Sequence, residues 1–427
     1  MGTTSAVNAV REDRYMSGTT LGGAVWIGII AITPVHRLVM TYGSALLPYF
    51  ILTAVLACTL LGKLRRPPGA RVWLFALCMI PLAAVVSGVS SAVVPSMYVG
   101  VKLAVFVGLT PFILRYYATE RESFTRCAIT GFLVVQSVSA LVGIMQLTGA
   151  SVASLRANAG RANGLAAHPN VLGLMAALAI LIGLFLVHRT SGGRRWACWA
   201  VVAINTVALI GSGSLSSMIS LAVGGIVLLV AMRVTVKSAV RVAVGIAVCS
   251  SLALTLGYDP TDAIEPVQGR VDTVLGVTDD GVASVSIRQS TYEFAAESIR
   301  SDPFTGVGMD SMHQGTFNGV TVVHNYLLRA WYQGGLLLFV AVAAISVLLI
   351  AMIVRSLVTT RDPLQSAVVA AVVAFGMTSA FYDQQQYWIP ILLAVAVTGL
   401  PSQPSREPAR PDRTTSDRVV TQKEARV

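Results

Sequence analysis

The stretch Pro169 to Val187, PNVLGLMAALAILIGLFLV, decides what kind of protein this is. It carries no charged residue, and a bilayer core about 30 Å thick needs roughly 20 apolar residues per helix. A helix on a soluble domain keeps a polar face, and this one has none. Working outward, comparable apolar runs lie at 19–36, 44–62, 72–94, 97–114, 124–147, 197–212, 217–232, 241–257, 335–354, 364–381 and 387–401. Pro34, Pro81, Pro111 and Pro390 fall inside such runs, where membrane helices tolerate proline better than soluble ones. The expectation is an all-α polytopic membrane protein with about twelve transmembrane helices. Composition agrees: 55% of the 427 residues are hydrophobic and 12% charged, against about a quarter charged in soluble domains. A soluble enzyme, a nucleic-acid reader and a disordered chain are excluded.

The formal charge of +11 is explained by topology and needs no nucleic-acid partner. With the N-terminus inside, the inner segments hold Arg11 and Arg14; Lys63, Arg65, Arg66 and Arg71; Arg115, Arg121 and Arg126. They continue with Arg189, Arg194 and Arg195; Arg233, Lys237 and Arg241; Arg355 and Arg361; and a basic tail. Every inner loop follows the positive-inside rule. The expected organisation is a cytoplasmic tail (1–18), helices one to nine (19–257), an external loop (258–334), helices ten to twelve (335–401) and a disordered basic tail (402–427). Both termini are then cytoplasmic, and the protein sits multi-pass in the inner membrane. Cys58, Cys78, Cys127, Cys198 and Cys249 have neither CxxC nor metal-ligand spacing and read as small buried hydrophobes.

The polar residues that topology does not explain lie outside. The loop 258–334 gathers acids from Asp259 to Asp310, and Ile287, Tyr292, Phe294, Ala295 and Ile299 give it a short amphipathic helix. Asp302 to Gly308, DPFTGVG, reads as a turn, and Asn325 as the start of a helix running into the tenth span. Asp279-Asp280 reads as a solvated turn, and no GxSxG, HExxH or P-loop pattern occurs. No metal site and no cofactor are expected. Arginine and histidine remain. Arginine matches phosphate oxygens with a rigid fork of donors, and histidine, with a pKa near 6.5, accepts a proton at neutral pH. Outer basic residues are Arg37, Arg156, Arg161, Arg270, Arg288, Arg300 and Arg329, with Lys102 a few residues into its span, where it can snorkel. Pairing with loop acids is the bland alternative for each. His36 and His188 sit at span ends, and His313 is on the surface. His168, before Pro169 and Asn170, is open between a helix cap and a catalytic role. His324 is open between a structural and a catalytic one.

Taken together, these motifs match a known pattern. Arg161-Ala162-Asn163-Gly164 through His168-Pro169-Asn170 resembles the Arg–Gly–Pro–Asn motif of the O-antigen ligase family. Arg288, the DPFTGVG turn, His324-Asn325-Tyr326 and Gly334-Gly335-Leu336 are similar to that family's long-loop signature. The resemblance covers roughly 150–350. One departure stands out: Ser217 occupies the position after Gly211 to Ser216 where the family often has an arginine, and Lys102 is a candidate substitute.

The resemblance implies a fold like that of the membrane-embedded GT-C-type glycosyltransferases. It also implies a metal-independent, inverting transfer of a glycan from a polyprenyl diphosphate carrier to an acceptor hydroxyl on the external face. The acceptor is a glycan, a glycolipid or another hydroxyl, and membrane lipids are further partners. Under it, His324 is the base, Arg161 and Arg288 bind the diphosphate, and Lys102, His168, Asn170 and Asn325 are accessory. A polysaccharide polymerase of the same class is the near alternative. A glycolipid transporter or flippase is the distant one, although the two halves of the chain lack the matching broken helices that such proteins often show.

Overall fold

The computed structural model describes residues 21–35, 46–152, 155–157, 160–166, 168–234, 282–310, 321–379 and 384–400. The expectations for the two termini, for the run 241–257, and for His36, Arg37, Cys249, Arg270, Asp279-Asp280 and His313 fall outside these residues. Among the described residues the chain is all-helical. The helices are α1 (Leu21–Val35), α2 (Leu47–Thr59), α3 (Ala70–Gly88), α4 (Val93–Glu120), α5 (Glu122–Leu147) and α6 (Pro169–Arg189). They continue with α7 (Gly192–Gly211), α8 (Leu215–Ala231), α9 (Val282–Ser301), α10 (Tyr326–Thr359), α11 (Pro363–Gly376) and α12 (Gln385–Val397).

Five of them, α3, α4, α5, α6 and α10, are long and apolar enough to cross a membrane, and α1, α2, α8, α11 and α12 are shorter apolar helices. Their outward faces are greasy. Val134, Val138, Leu141 and Met145 form an exposed stripe on α5, and Val347, Ile350, Val354 and Val358 form another on α10. Stripes at three- and four-residue spacing on the outside of a bundle belong against hydrocarbon, not water. Cys58, Cys78 and Cys127 share this exposed surface and Cys198 is half-buried, which corrects the expectation of buried thiols. A small apolar side chain suits lipid contact as well as a core, so composition alone could not separate the two.

Inside, the bundle is fastened by close approach and by polar pairs. A Cβ added at Gly224 of α8 would come within 2.9 Å of the Ala367 carbonyl of α11, so these helices touch backbone to backbone. The buried Gln136 amide of α5 donates to Asn205 of α7 at 2.9 Å, and Tyr326 meets Ser346 within α10 at 2.7 Å.

The two ends of the bundle can be told apart. One cavity is lined by Ala118 at the end of α4, Arg126 at the start of α5, Arg189 at the end of α6, Asp362-Pro363 at the start of α11, and Leu400 after α12. The beginning of α6 and the end of α11 therefore share the opposite end, as does the beginning of α4. That shared end is the one that carries the loop residues.

There α10 is broken. Gly335 has φ 63° and ψ −165°, a region essentially reserved for glycine, and the helix resumes in a new direction. The break releases backbone groups that water cannot reach, and each needs a partner. The DPFTGVG turn supplies them. Val307 N donates to Tyr332 O at 3.1 Å, Gly308 N to Gln333 O at 2.9 Å, and Leu336 N to Phe304 O at 3.2 Å. The Trp331 indole adds a bond to Pro303 O at 2.9 Å. Asp302 stiffens the turn by accepting from the backbone N–H and the hydroxyl of Thr305, and these bonds hold its carboxyl below the ordinary carboxylate range.

Replacing Gly335 tests this splice. A Cβ there would lie 2.1 Å from Phe304 O, and the backbone conformation alone costs a non-glycine residue on the order of 1–3 kcal/mol. Gly335→Ala should lower the thermal unfolding temperature in detergent by several degrees. Gly225→Ala, where nothing lies within 4 Å, should not lower it.

Candidate functional site

Two groups of the expected residues assemble at the broken end. The first is built on α5 to α8. Gln146 and Ser139, buried in α5, hold the loop that precedes α6. Gln146 Oε1 accepts from Asn163 N at 3.0 Å and Gly164 N at 2.8 Å, and its amide donates to Gly164 O at 3.1 Å. Ser139 Oγ accepts from Leu165 N at 3.0 Å. Gly164 has a φ of 54° and sits so close that a Cβ would strike Ser139 O at 2.4 Å. This anchoring presents Arg161 to the start of α6 and the end of α7. Its Nε donates to Ser212 O and its terminal nitrogen to Asn170 Oδ1, both at 2.8 Å.

His168 caps α6: its Nδ1 accepts from Asn170 N at 3.2 Å. The cap places the proton of a neutral ring on Nε2. Ser217 donates to the Asn170 backbone carbonyl at 3.3 Å and pairs with Ser214 at 2.8 Å. A side chain larger than serine would have to displace Gly173, whose added Cβ would already lie 2.8 Å from Ser217 Oγ. Thus Arg161, His168, Asn170 and Ser217 form one hydrogen-bonded unit.

The second group is built on α9 and α10. Ala295 of α9, Val323 and Tyr332 of α10 make a small core, with Tyr292, Phe294, Ile299 and Leu328 around it. Thr291 and Ala295, not Ile287, lie on the fully buried side, and Ile287 is 38% exposed. The amphipathic pattern named the right helix but gave Ile287 the wrong face. Docked this way, α9 brings Arg288 and Tyr292 beside His324, and the Tyr292 hydroxyl donates to His324 O at 3.1 Å. Asn325 caps α10, its Oδ1 accepting from Leu327 N and Leu328 N at 3.1 and 3.0 Å. Its amide also reaches Met377 O, just past α11, at 3.3 Å. Because α11 and α6 have opposite polarity relative to the far cavity, this bond puts His324 at the same end as the Arg161 group.

The His324 ring is partly buried, and its Nδ1 has no hydrogen-bond partner among the described residues. Burial first, then the charges of Arg288 and Arg329, push its pKa below 6.5, while the Val322 carbonyl acts in the opposite sense. Sequence reasoning gave Arg329 no role. It is 2% exposed, and its Nε donates to Gln333 at 2.9 Å one turn along α10. The only signal available was its position one helical turn and a half beyond His324. Gln146 and Ser139 were also missed, although polar residues inside an apolar run are functional or structural anchors by default.

Lys102 is elsewhere. Because α4 begins at Val93, Lys102 lies deep in the helix, 4% exposed, with its ammonium 3.5 Å from the centre of the Tyr98 ring. It does not snorkel to the surface. Gly100, just above it, packs under Met309. The adjoining Asp310 accepts from Ser91 Oγ at 2.7 Å and Ser96 Oγ at 2.5 Å. Burial acts to raise the Asp310 pKa, and these hydroxyls outweigh it and hold the carboxyl low.

Residues 200–343 match the family model of the O-antigen ligases. Over that stretch the chain is O-antigen ligase-like. The matched stretch runs from within α7 to the middle of α10, so this O-antigen ligase-like segment contains Arg288, His324 and the splice at Gly335, while Arg161 lies ahead of it. No curated protein matches the chain. A membrane enzyme of the ligase/polymerase-like kind has lipid-linked glycan and acceptor partners in general.

The His324 environment makes a measurable statement. With its pKa lowered, the ring is neutral at pH 7, and the neutral fraction is lost only as pH falls below 6.5. Removing the neighbouring charge in Arg288→Gln should move the midpoint upward. Histidine NMR titration of the purified protein checks this, and an unmoved midpoint would separate Arg288 from His324.

Proposed function

We propose that the protein transfers a preassembled glycan from a polyprenyl diphosphate to an acceptor hydroxyl at the external face of the inner membrane. The supporting observation is the partly buried imidazole of His324, its pKa lowered by burial and by Arg288, at the end of the bundle where Arg161 is fixed by Ser212 and Asn170. In this reading the chain crosses the membrane twelve times with both termini inside.

The chemistry follows from the charges. The imidazole takes the proton of the acceptor hydroxyl as its oxygen bonds to the anomeric carbon from the face opposite the leaving group, inverting it. The bond from that carbon to the diphosphate breaks, and the electron pair leaves with the diphosphate. Arg161 and Arg288 hold the growing negative charge. A guanidinium already tied in place needs little reorganisation to do so. Asn170 and His168 position Arg161, and Asn325 positions His324. No metal is required for any of these steps. External transfer has no nucleotide at hand, so the energy resides in the sugar–diphosphate bond, and the carrier's lipid tail stays in the bilayer.

Transfer assays in nanodiscs with a polyprenyl diphosphate glycan test the assignment. His324→Ala should lower turnover about 10²–10⁴-fold, and Arg161→Ala and Arg288→Ala about 10²–10³-fold each. Near wild-type turnover of a folded His324→Ala protein would overturn the base assignment. Activity abolished by EDTA and restored by a divalent ion would overturn the metal-free mechanism. A ladder of product sizes instead of a single addition would assign the polymerase activity.

A further inference from the structure

We propose a second lipid site, at the end of the bundle away from His324, that holds an anionic phospholipid of the surrounding leaflet: an acyl chain in a slot between helices and a phosphate among three arginines. The proposal does not rest on the transfer reaction, only on the chain lying in a bilayer.

Two adjoining features carry it. Helices α1, α5, α6, α11 and α12 enclose a narrow slot of about 90 Å³ walled by Ile30, Phe132, Leu178, Ile182, Ile389 and Leu393. Of its lining residues, Thr33, Thr125 and Gln365 alone are polar. Such a slot suits a short length of one unbranched hydrocarbon chain and no polar ligand. Thr125, Ile129, Gln365 and Val397 line both this slot and the larger cavity of about 730 Å³ beyond it, so the two adjoin.

The larger cavity is different in kind. Arg126, Arg189 and Arg361, drawn from three separate connections, line it together with Asp362 as its one acid. Asp362 already accepts from Gly399 N at 3.0 Å, and Arg189 lies 4.7 Å from the centre of the Phe185 ring, a cation–π contact that directs it along the wall. The mouth therefore has an excess of positive charge beside a hydrocarbon channel. Hydrocarbon and anion must then arrive on one molecule whose polar end is at the membrane surface, and an anionic glycerophospholipid has that shape. A chain segment such as 401–427, which carries more basic than acidic residues, is repelled by the same charge.

Native mass spectrometry of the full chain, released from nanodiscs of phosphatidylcholine with a minor fraction of phosphatidylglycerol, tests the site. The wild type should retain phosphatidylglycerol in preference to phosphatidylcholine. Arg126→Gln, Arg189→Gln and Arg361→Gln should each reduce that preference about fivefold, from the attraction of one basic residue to anionic lipid. Val368→Phe, which fills the slot, should reduce retention of phosphatidylglycerol while the arginines remain. If Val368→Phe fails to fold, the arginine variants decide the matter alone. Equal retention of the two lipids, or a preference unchanged in the triple variant, overturns the proposal. Inorganic phosphate competing as well as phosphatidylglycerol would mean a simple anion site and also overturns it. So would a chain ending at Leu400 that binds phosphatidylglycerol more tightly, because the tail would then be the occupant.

Discussion

The structure at the loop end depends on satisfying the backbone where α10 breaks. A helix interrupted within reach of the bilayer exposes carbonyl and amide groups that lipid cannot bond. The turn from Phe304 to Gly308 is spliced into the gap, bonding Tyr332, Gln333 and Leu336. The same turn is fastened on its other side to the start of α4 through Asp310, Ser91 and Ser96. A segment tied at both edges cannot drift. It fixes the end of α9, and α9 in turn presses Arg288 and Tyr292 against His324. The position of the candidate base thus follows from a requirement of backbone hydrogen bonding some ten residues away.

A consequence is electrostatic. Burial, and with it the charges of Arg288 on α9 and Arg329 on α10, lowers the pKa of His324. An imidazolium is disfavoured there for the same reason that an anion is welcome. Were a diphosphate to bind beside these guanidinium groups, its negative charge would offset theirs and make the imidazole more basic.

Much of the local structure around the candidate site was legible because local chemistry set it. Asn325 before an apolar run marks a helix start, and both its cap bonds form. His168 before Pro169 marks another. The DPFTGVG turn and Gly334-Gly335 stand out as glycine-rich, but a one-dimensional pattern gave no sign that one completes the hydrogen bonds of the other. Arg329 looked like an outer basic residue among several; it is buried in the first turn of α10, its Nε bonded to Gln333 one turn along. The face of α9 was misjudged at Ile287 because an amphipathic period gives a stripe, while the partner decides which edge of the stripe is covered. The cysteines were misplaced for a related reason: in a bilayer both sides of a helix are apolar, so hydrophobicity no longer separates inside from outside.

The sequence by itself determined that this chain is helical and membrane-embedded, because long uncharged runs have no other stable home. It also determined which residue types could bind phosphate and move a proton, since those properties reside in the side chains. Only the tertiary structure decided which of them share an end of the bundle. Arg161 reaches that end because buried Gln146 and Ser139 hold its loop, and His324 because a turn mends the break in α10. Lys102, equally basic, is left deep in α4 because that helix begins a full turn earlier than hydropathy indicated. Contacts between segments far apart along the chain fixed each of these outcomes, and neither charge nor periodicity encodes such contacts.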